Sequence, residues 1–238
     1  MEYGCARSGE PNTREFELSC TLRGNSISYW HDVPLIADAE KDLYNMVVEV
    51  PKGTTAKMEV MTDDTITPIR QDVKKGKLRH YPTPMPWNYG MFPRTWENPN
   101  HENVIEGVDG WRGDMEEFAP AEKFCGDGDP LDVIEIGGQP LEMGGVYSVK
   151  PLGVFAMIDD GELDWKVIAV RADCTWLNDI DDVKRVMPGE LRRIREWFRD
   201  YKIPAGKPPA RFGYAGQALD KEQAMSVIEE THWFYLKR

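Results

Sequence analysis

No two of the four cysteines, Cys5, Cys20, Cys125 and Cys174, form a CxxC pair. Their scatter excludes a zinc ribbon or a thioredoxin-type motif and reads as free thiols in a reducing compartment. The four histidines, His31, His80, His101 and His232, also lack metal-ligand spacing, and no catalytic role is assigned to them. Long apolar runs are missing as well. The longest stretch free of charged and strongly polar residues, Pro151 to Ile158, is far below the roughly 18 to 20 apolar residues of a membrane span. Positive charge is in short supply: 29 Lys and Arg against 41 Asp and Glu leave a formal charge of −12, which argues against nucleic acid or an anionic membrane as partner. The opening segment, MEYGCARSGEPNTREFEL, lacks the apolar region of a secretory signal, so a soluble cytoplasmic protein is expected.

What the chain does have is an acidic knot. In Gly126 to Gly137, GDGDPLDVIEIG, the carboxyl groups of Asp127, Asp129 and Asp132 fall within six residues, just before an apolar run. Like charges about 4 Å apart cost about 4 kcal/mol per pair at an effective dielectric near 20, unless a cation sits among them. Oxygen-only donors suit a hard divalent ion such as Mg²⁺, which commonly brings phosphate oxygens with it. An EF-hand is excluded because Leu131 occupies the fifth position counted from Asp127. A solvated acidic turn, built on Gly, Asp and Pro130, accounts for this segment alone equally well.

The remaining length supports one large domain with a substantial core. Short β-patterned segments dominate the first two-thirds, among them Asn45 to Val50, Lys57 to Met61, Asp132 to Ile136, Val146 to Ile158 and Trp165 to Val170. Two amphipathic helices are predicted near the C-terminus, over Gly189 to Tyr201 and Lys221 to Thr231. This order predicts a mainly β (α+β) fold, an antiparallel barrel with helices packed outside it. The charged, weakly periodic stretch Asn98 to Lys123 is expected to be a long surface insertion.

Other charged residues occupy positions where a polar cavity would need them. Strand alternation in TAKMEVM puts Lys57 and Glu59 on one face, opposite Ala56, Met58 and Val60. Glu49 interrupts the apolar strand VVEVP. In MIDDGELDWKVIAV a tight hairpin closes at DDGE, which brings Asp159 near Asp164, with Lys166 on the same face as Asp164. Lys77 and Arg79 share a face of KKGKLR, Tyr89 follows in the aromatic turn WNYG, and Tyr201 and Lys202 stand where a helix ends before Pro204. Each is ambiguous by itself; together they match the needs of an anionic, metal-bridged substrate.

The acidic segment, together with TAKMEV, QDVKKGKLR, NYGMFPRTWE, DGELDWKVIA, LNDIDDV, EWFRDYKIPAGKP and IEETHWFY, resembles a soluble family I inorganic pyrophosphatase of the eukaryotic type, over nearly the whole chain from about Phe16. The resemblance implies a single domain, 1–238, around a five-stranded OB-like β-barrel with flanking C-terminal helices and an N-terminal extension, 1–15. It implies hydrolysis of inorganic diphosphate to two orthophosphates with several Mg²⁺ ions per site, in a homodimer. Asp127, Asp132 and Asp164 would then bind metal directly, with Asp159 and Glu59 completing the metal and water shells. Asp129 would be the base for the attacking water. Lys57, Arg79, Lys166, Tyr201 and Lys202 would hold phosphate oxygens, with Tyr89 hydrogen-bonding nearby and Glu49 a charge behind the ligands.

One departure from the family pattern is Met85, where a second tyrosine often stands four residues before that of NYG; Tyr81 could supply its hydrogen bond. Two alternatives are a broader metal-dependent hydrolase of polyphosphates or nucleotides and a catalytically silent metal- or phosphate-binding protein. The absence of a Gly-rich loop weighs against nucleotides, and the presence of every expected ligand and of Asp129 weighs against silence.

Overall fold

The computed structural model describes residues 3–108 and 120–238. Five strands organise it: β1 (Leu43–Val50), β2 (Asn88–Met91), β3 (Asp132–Glu135), β4 (Val146–Asp159) and β5 (Glu162–Arg171). They pair in the cycle β4, β5, β3, β2, β1 and back to β4. All contacts are antiparallel except β3 with β5. The hairpin between β4 and β5 turns on Asp160 (φ 50°) and Gly161 (φ 97°), the positive-φ pair that a two-residue turn between twisted strands requires.

The expected five-stranded OB-like barrel is corrected: these strands form a ring within a seven-stranded sheet, not a closed barrel. β4 pairs with β1 only over Val146–Val149, against Tyr44–Val47. Beyond a register shift between Pro151 and Gly153 it continues along β5, and near its end, at Met157 and Ile158, its free edge is taken by Arg211–Phe212. A long strand that bends at a bulge serves different neighbours at its two ends, so the ring joins at one end only. The mainly β composition with helices toward the C-terminus agrees with the expectation.

A second, five-stranded sheet holds Tyr3–Ser8, Glu17–Leu22, Ile69–Gln71 and Met58–Val60 in that order, with Asn25–Ile27 paired to Glu17–Leu22. Tyr3–Ser8, inside the expected N-terminal extension, is its edge strand. Positions 109–119 of the expected surface insertion lie outside the described residues. Its flanks are ordered as antiparallel partners, Asn103–Ile105 with Glu122–Phe124, and Ile105 is buried.

Each face of the ring meets its own core. On one, Ile134, Ile168 and Val170 pack with Ile180 and Val183 of α1 (Ile180–Val186) and Ile194 and Phe198 of α2 (Glu190–Asp200), as well as with the second sheet. On the other, Val133, Trp165, Val167 and Ala169 pack with Ala224, Val227 and Ile228 of α3 (Lys221–Lys237).

Candidate active site

The parallel β3–β5 ladder sets the centre of the site. Asp132 is the register partner of Lys166, and Asp164 lies two residues before Lys166 on the same face. Lys166, 3% exposed, donates to Asp164 Oδ1 at 2.5 Å and to the Asp132 carboxylate. It also donates to the Tyr89 hydroxyl at 3.1 Å, and that hydroxyl in turn donates to Asp132. Burial pulls the Lys166 ammonium down, but the Asp132 and Asp164 charges outweigh it and hold its pKa well above the usual lysine value.

Beside this ladder the loop Gly126–Pro130 lies against the backbone of Glu97. The Gly128 amide donates to the Glu97 carbonyl at 2.9 Å, and the Glu97 amide donates to the Asp129 carbonyl at 2.9 Å. A Cβ at Gly126 would stand 2.4 Å from the Glu97 carbonyl carbon, so only glycine permits this approach. The loop is tightened by the Asp129 amide, which donates to Asp127 Oδ1 at 2.9 Å, and by Gly128 at φ 89°.

Glu97, Asp127 and Asp164 thereby bring ligand atoms within 4.8 Å of one another. Glu97 Oε1 accepts from the Trp165 amide at 2.8 Å, while Oε2 is buried with no hydrogen-bond partner among the described residues. Burial first, then the neighbouring Asp164 and Asp129 charges, pushes Asp127 up to about 8. Burial, then Glu59 and Asp132, pushes Asp129 up to about 6, although the residue is exposed at the cavity. Burial and Asp127 likewise raise Glu97 well above the carboxylate range. Crowded carboxylates whose pKa values are raised by burial and by one another, one of their oxygens buried with no hydrogen-bond partner among the described residues, fit a hard divalent metal.

The other charged side chains surround this cluster in ion pairs. Lys57 pairs with Glu59 and stands 3.6 Å from Asp72, which also binds Arg79. At the end of α2, Lys202 pairs with Asp159, and the Tyr201 hydroxyl donates to the same carboxylate at 3.4 Å. Glu49 is buried and accepts from the Val60 amide at 2.7 Å; burial, then the Asp132 charge, raises its pKa well above the carboxylate range.

Every site residue that the resemblance implies lines one cavity of ≈320 Å³: Glu49, Lys57, Glu59, Arg79, Tyr89, Asp127, Asp129, Asp132, Asp159, Asp164, Lys166, Tyr201 and Lys202. Lys77, grouped with Arg79 in the sequence, is not among its lining residues. Sequence reasoning missed Glu97 and Asp72, which hold their neighbours from loops without periodicity. It placed Tyr89 in a turn, whereas Asn88–Met91 is a strand buried on both faces, without the alternation that marks a half-exposed one. Met85 is fully buried in the core. Tyr81 lines the cavity, its ring 5.8 Å from that of Tyr201.

A strand ring whose mouth collects carboxylates able to hold a divalent cation, interleaved with lysines and an arginine able to hold phosphate, defines a metal-dependent phosphate enzyme. Residues 46–236 match the family model described as inorganic pyrophosphatase. The chain is 47% identical over 238 residues to soluble inorganic pyrophosphatase 1, chloroplastic, of Chlamydomonas reinhardtii, covering 99% of this chain and 79% of that one. It is 45% identical over 218 residues to the inorganic pyrophosphatase of Homo sapiens, covering 88% and 69%. The crystal structure of type I inorganic pyrophosphatase from Toxoplasma gondii superposes with a TM-score of 0.87 at 42% identity, over 99% of both chains. This chain belongs to the inorganic pyrophosphatase family.

Proposed function

We propose that the chain hydrolyses inorganic diphosphate to two orthophosphates in this cavity, with several Mg²⁺ ions held by Asp127, Asp132 and Asp164, supported by Asp159, Glu59 and the newly located Glu97. The observation that carries the reading is the state of the cations: Lys57, Lys166 and Lys202 each rest on a carboxylate that a divalent ion would also claim, and Arg79 beside them rests on Asp72. When bound, Mg²⁺ makes water acidic enough to ionise near neutral pH and neutralises charge on the phosphates. Asp129 orients the attacking water and accepts its proton. Lys57, Arg79, Tyr201 and Lys202 exchange their present carboxylate partners for phosphate oxygens, and Lys166 and Tyr89 fix Asp132 from behind. The homodimer expected from the sequence is kept as part of this reading, and sedimentation of the purified chain measures it.

Orthophosphate release from diphosphate, tripolyphosphate and ATP, each with Mg²⁺ and with EDTA, tests the reading. Rapid Mg²⁺-dependent release from diphosphate, with little from the other two, is expected. Equal release from ATP would favour a broader phosphoanhydride hydrolase, and tight Mg-diphosphate binding without turnover would sink the enzyme reading.

A further inference from the structure

Two of the four free cysteines, fifteen positions apart in sequence, are brought face to face by the second sheet. In the antiparallel pair of Tyr3–Ser8 with Glu17–Leu22, Cys5 is the register partner of Cys20. Residues directly opposite each other in such a ladder point to the same face, with Cα atoms about 4.5 or 5.5 Å apart depending on the type of pair, and both values lie within the roughly 4.4 to 6.8 Å that a disulfide spans. Their Cβ atoms must approach by about 1 Å at most. The strand Tyr3–Ser8 can supply that movement because, among the described residues, it is an edge strand paired only to Glu17–Leu22.

Room for the sulfur is also built in. Position 144 is a glycine at φ 77°, and a Cβ there would meet Cys5 Sγ at 2.6 Å and the Tyr29 hydroxyl at 2.7 Å. Cys5 is partly exposed and Cys20 is fully buried in the core. The pair thus has one thiol that a reagent can reach and one that only its partner can reach.

We infer that Cys5 and Cys20 form a reversible cross-strand disulfide that staples the N-terminal strand to the body of the sheet. A low-molecular-weight disulfide is the oxidant. The Cys5 thiolate attacks one of its sulfurs, making a mixed disulfide and releasing one thiolate. Cys20 then attacks the Cys5 sulfur and expels the second thiolate, which takes up the Cys20 proton. Two protein thiols are oxidised, and one external disulfide is reduced to two thiols. Burial, then the Cys5 charge, pushes the Cys20 thiol up to about 12, so the exchange begins at Cys5.

The test exposes the full chain to oxidised glutathione, blocks remaining thiols with an alkylating agent, and maps peptides by mass. The expected product is a Cys5–Cys20 linked peptide lacking two hydrogens and no retained glutathione. Closing a loop of this length should raise Tm by roughly 6 to 12 °C, reversed by dithiothreitol. The Cys125→Ser/Cys174→Ser variant should keep the shift. Cys5→Ser, on the exposed strand, and Cys20→Ala should each abolish it; Cys5→Ser alone suffices should the buried substitution prevent folding. A glutathione adduct that persists on Cys5, linkage through Cys125 or Cys174, or full alkylation of all four thiols would overturn the inference.

Discussion

One face of β3 and β5 changes character along its length. At one end it carries Asp132, Asp164 and Lys166 into the cavity; two residues further on it carries Ile134 and Ile168 into a core with no exposure at all. The same pleat, register and neighbouring strands serve both ends. What differs is the partner: the apolar end is sealed by α1, α2 and the second sheet, whereas the charged end is left open, edged by the acidic loop and the end of α2. The ladder fixes positions to the same precision in either case. A rigid core thus serves as the mounting for a site whose charges would not stay together on a loop.

The sharpest way to break that comparison is at the charged end. Asp129→Asn should lower kcat by about 10² to 10⁴ with little change in Tm, since the side chain opens into the cavity and donates nothing to the core. A steady-state assay beside a thermal melt checks both halves. Next, Lys166→Met leaves Asp132 and Asp164 buried without their cation, which should cost about 3 to 5 kcal/mol in EDTA by denaturant unfolding, with part of the loss recovered in Mg²⁺. Ile168→Ala tests the apolar end: about 2 to 5 kcal/mol of stability is lost, and the folded fraction keeps its kcat.

A pH series sharpens the contrast further. Asp127, pushed up to about 8, and Asp129, pushed up to about 6, retain protons in the folded metal-free protein that the unfolded chain releases near pH 4. The folded state therefore binds more protons. The stability this adds is complete below about pH 4 and is lost as pH rises through about 6 and then about 8. Mg²⁺ displaces the same protons, so the Tm difference between Mg²⁺ and EDTA should widen from about pH 5 to about pH 8. A constant difference would show that these carboxylates do not hold the metal. The smallest effect is expected for Tyr81→Phe, less than about tenfold in kcat: Tyr81 lines the cavity, but its neighbours Tyr89 and Lys166 already fix Asp132.

The charged end was the more legible half in the sequence. Asp127, Asp129 and Asp132 announced themselves by crowding, and Lys57 with Glu59 and Asp164 with Lys166 by strand alternation, because those signals are local. Glu97 was illegible because its role comes from contact between two loops through Gly126, which no periodicity records. Helix α1 carried a signal that was passed over, a capping Asp179 followed by Asp181 and Asp182 in the first turn. The barrel was overdrawn because strand count is readable in a pattern of apolar runs, but which neighbour a long strand keeps beyond a bulge is not.

That shared strand also orders events in time. The β4–β5 hairpin closes through a two-residue turn and can form as soon as both arms exist. The contact of Val146–Val149 with Tyr44–Val47 joins segments far apart in the chain, and its loop-closure entropy is met late. During vectorial synthesis β1 emerges long before β4, so this edge of an apolar strand stays unpaired until the chain has grown well past the acidic loop. The strand that joins the ring is therefore the one whose delay leaves the nascent protein open to edge-to-edge association.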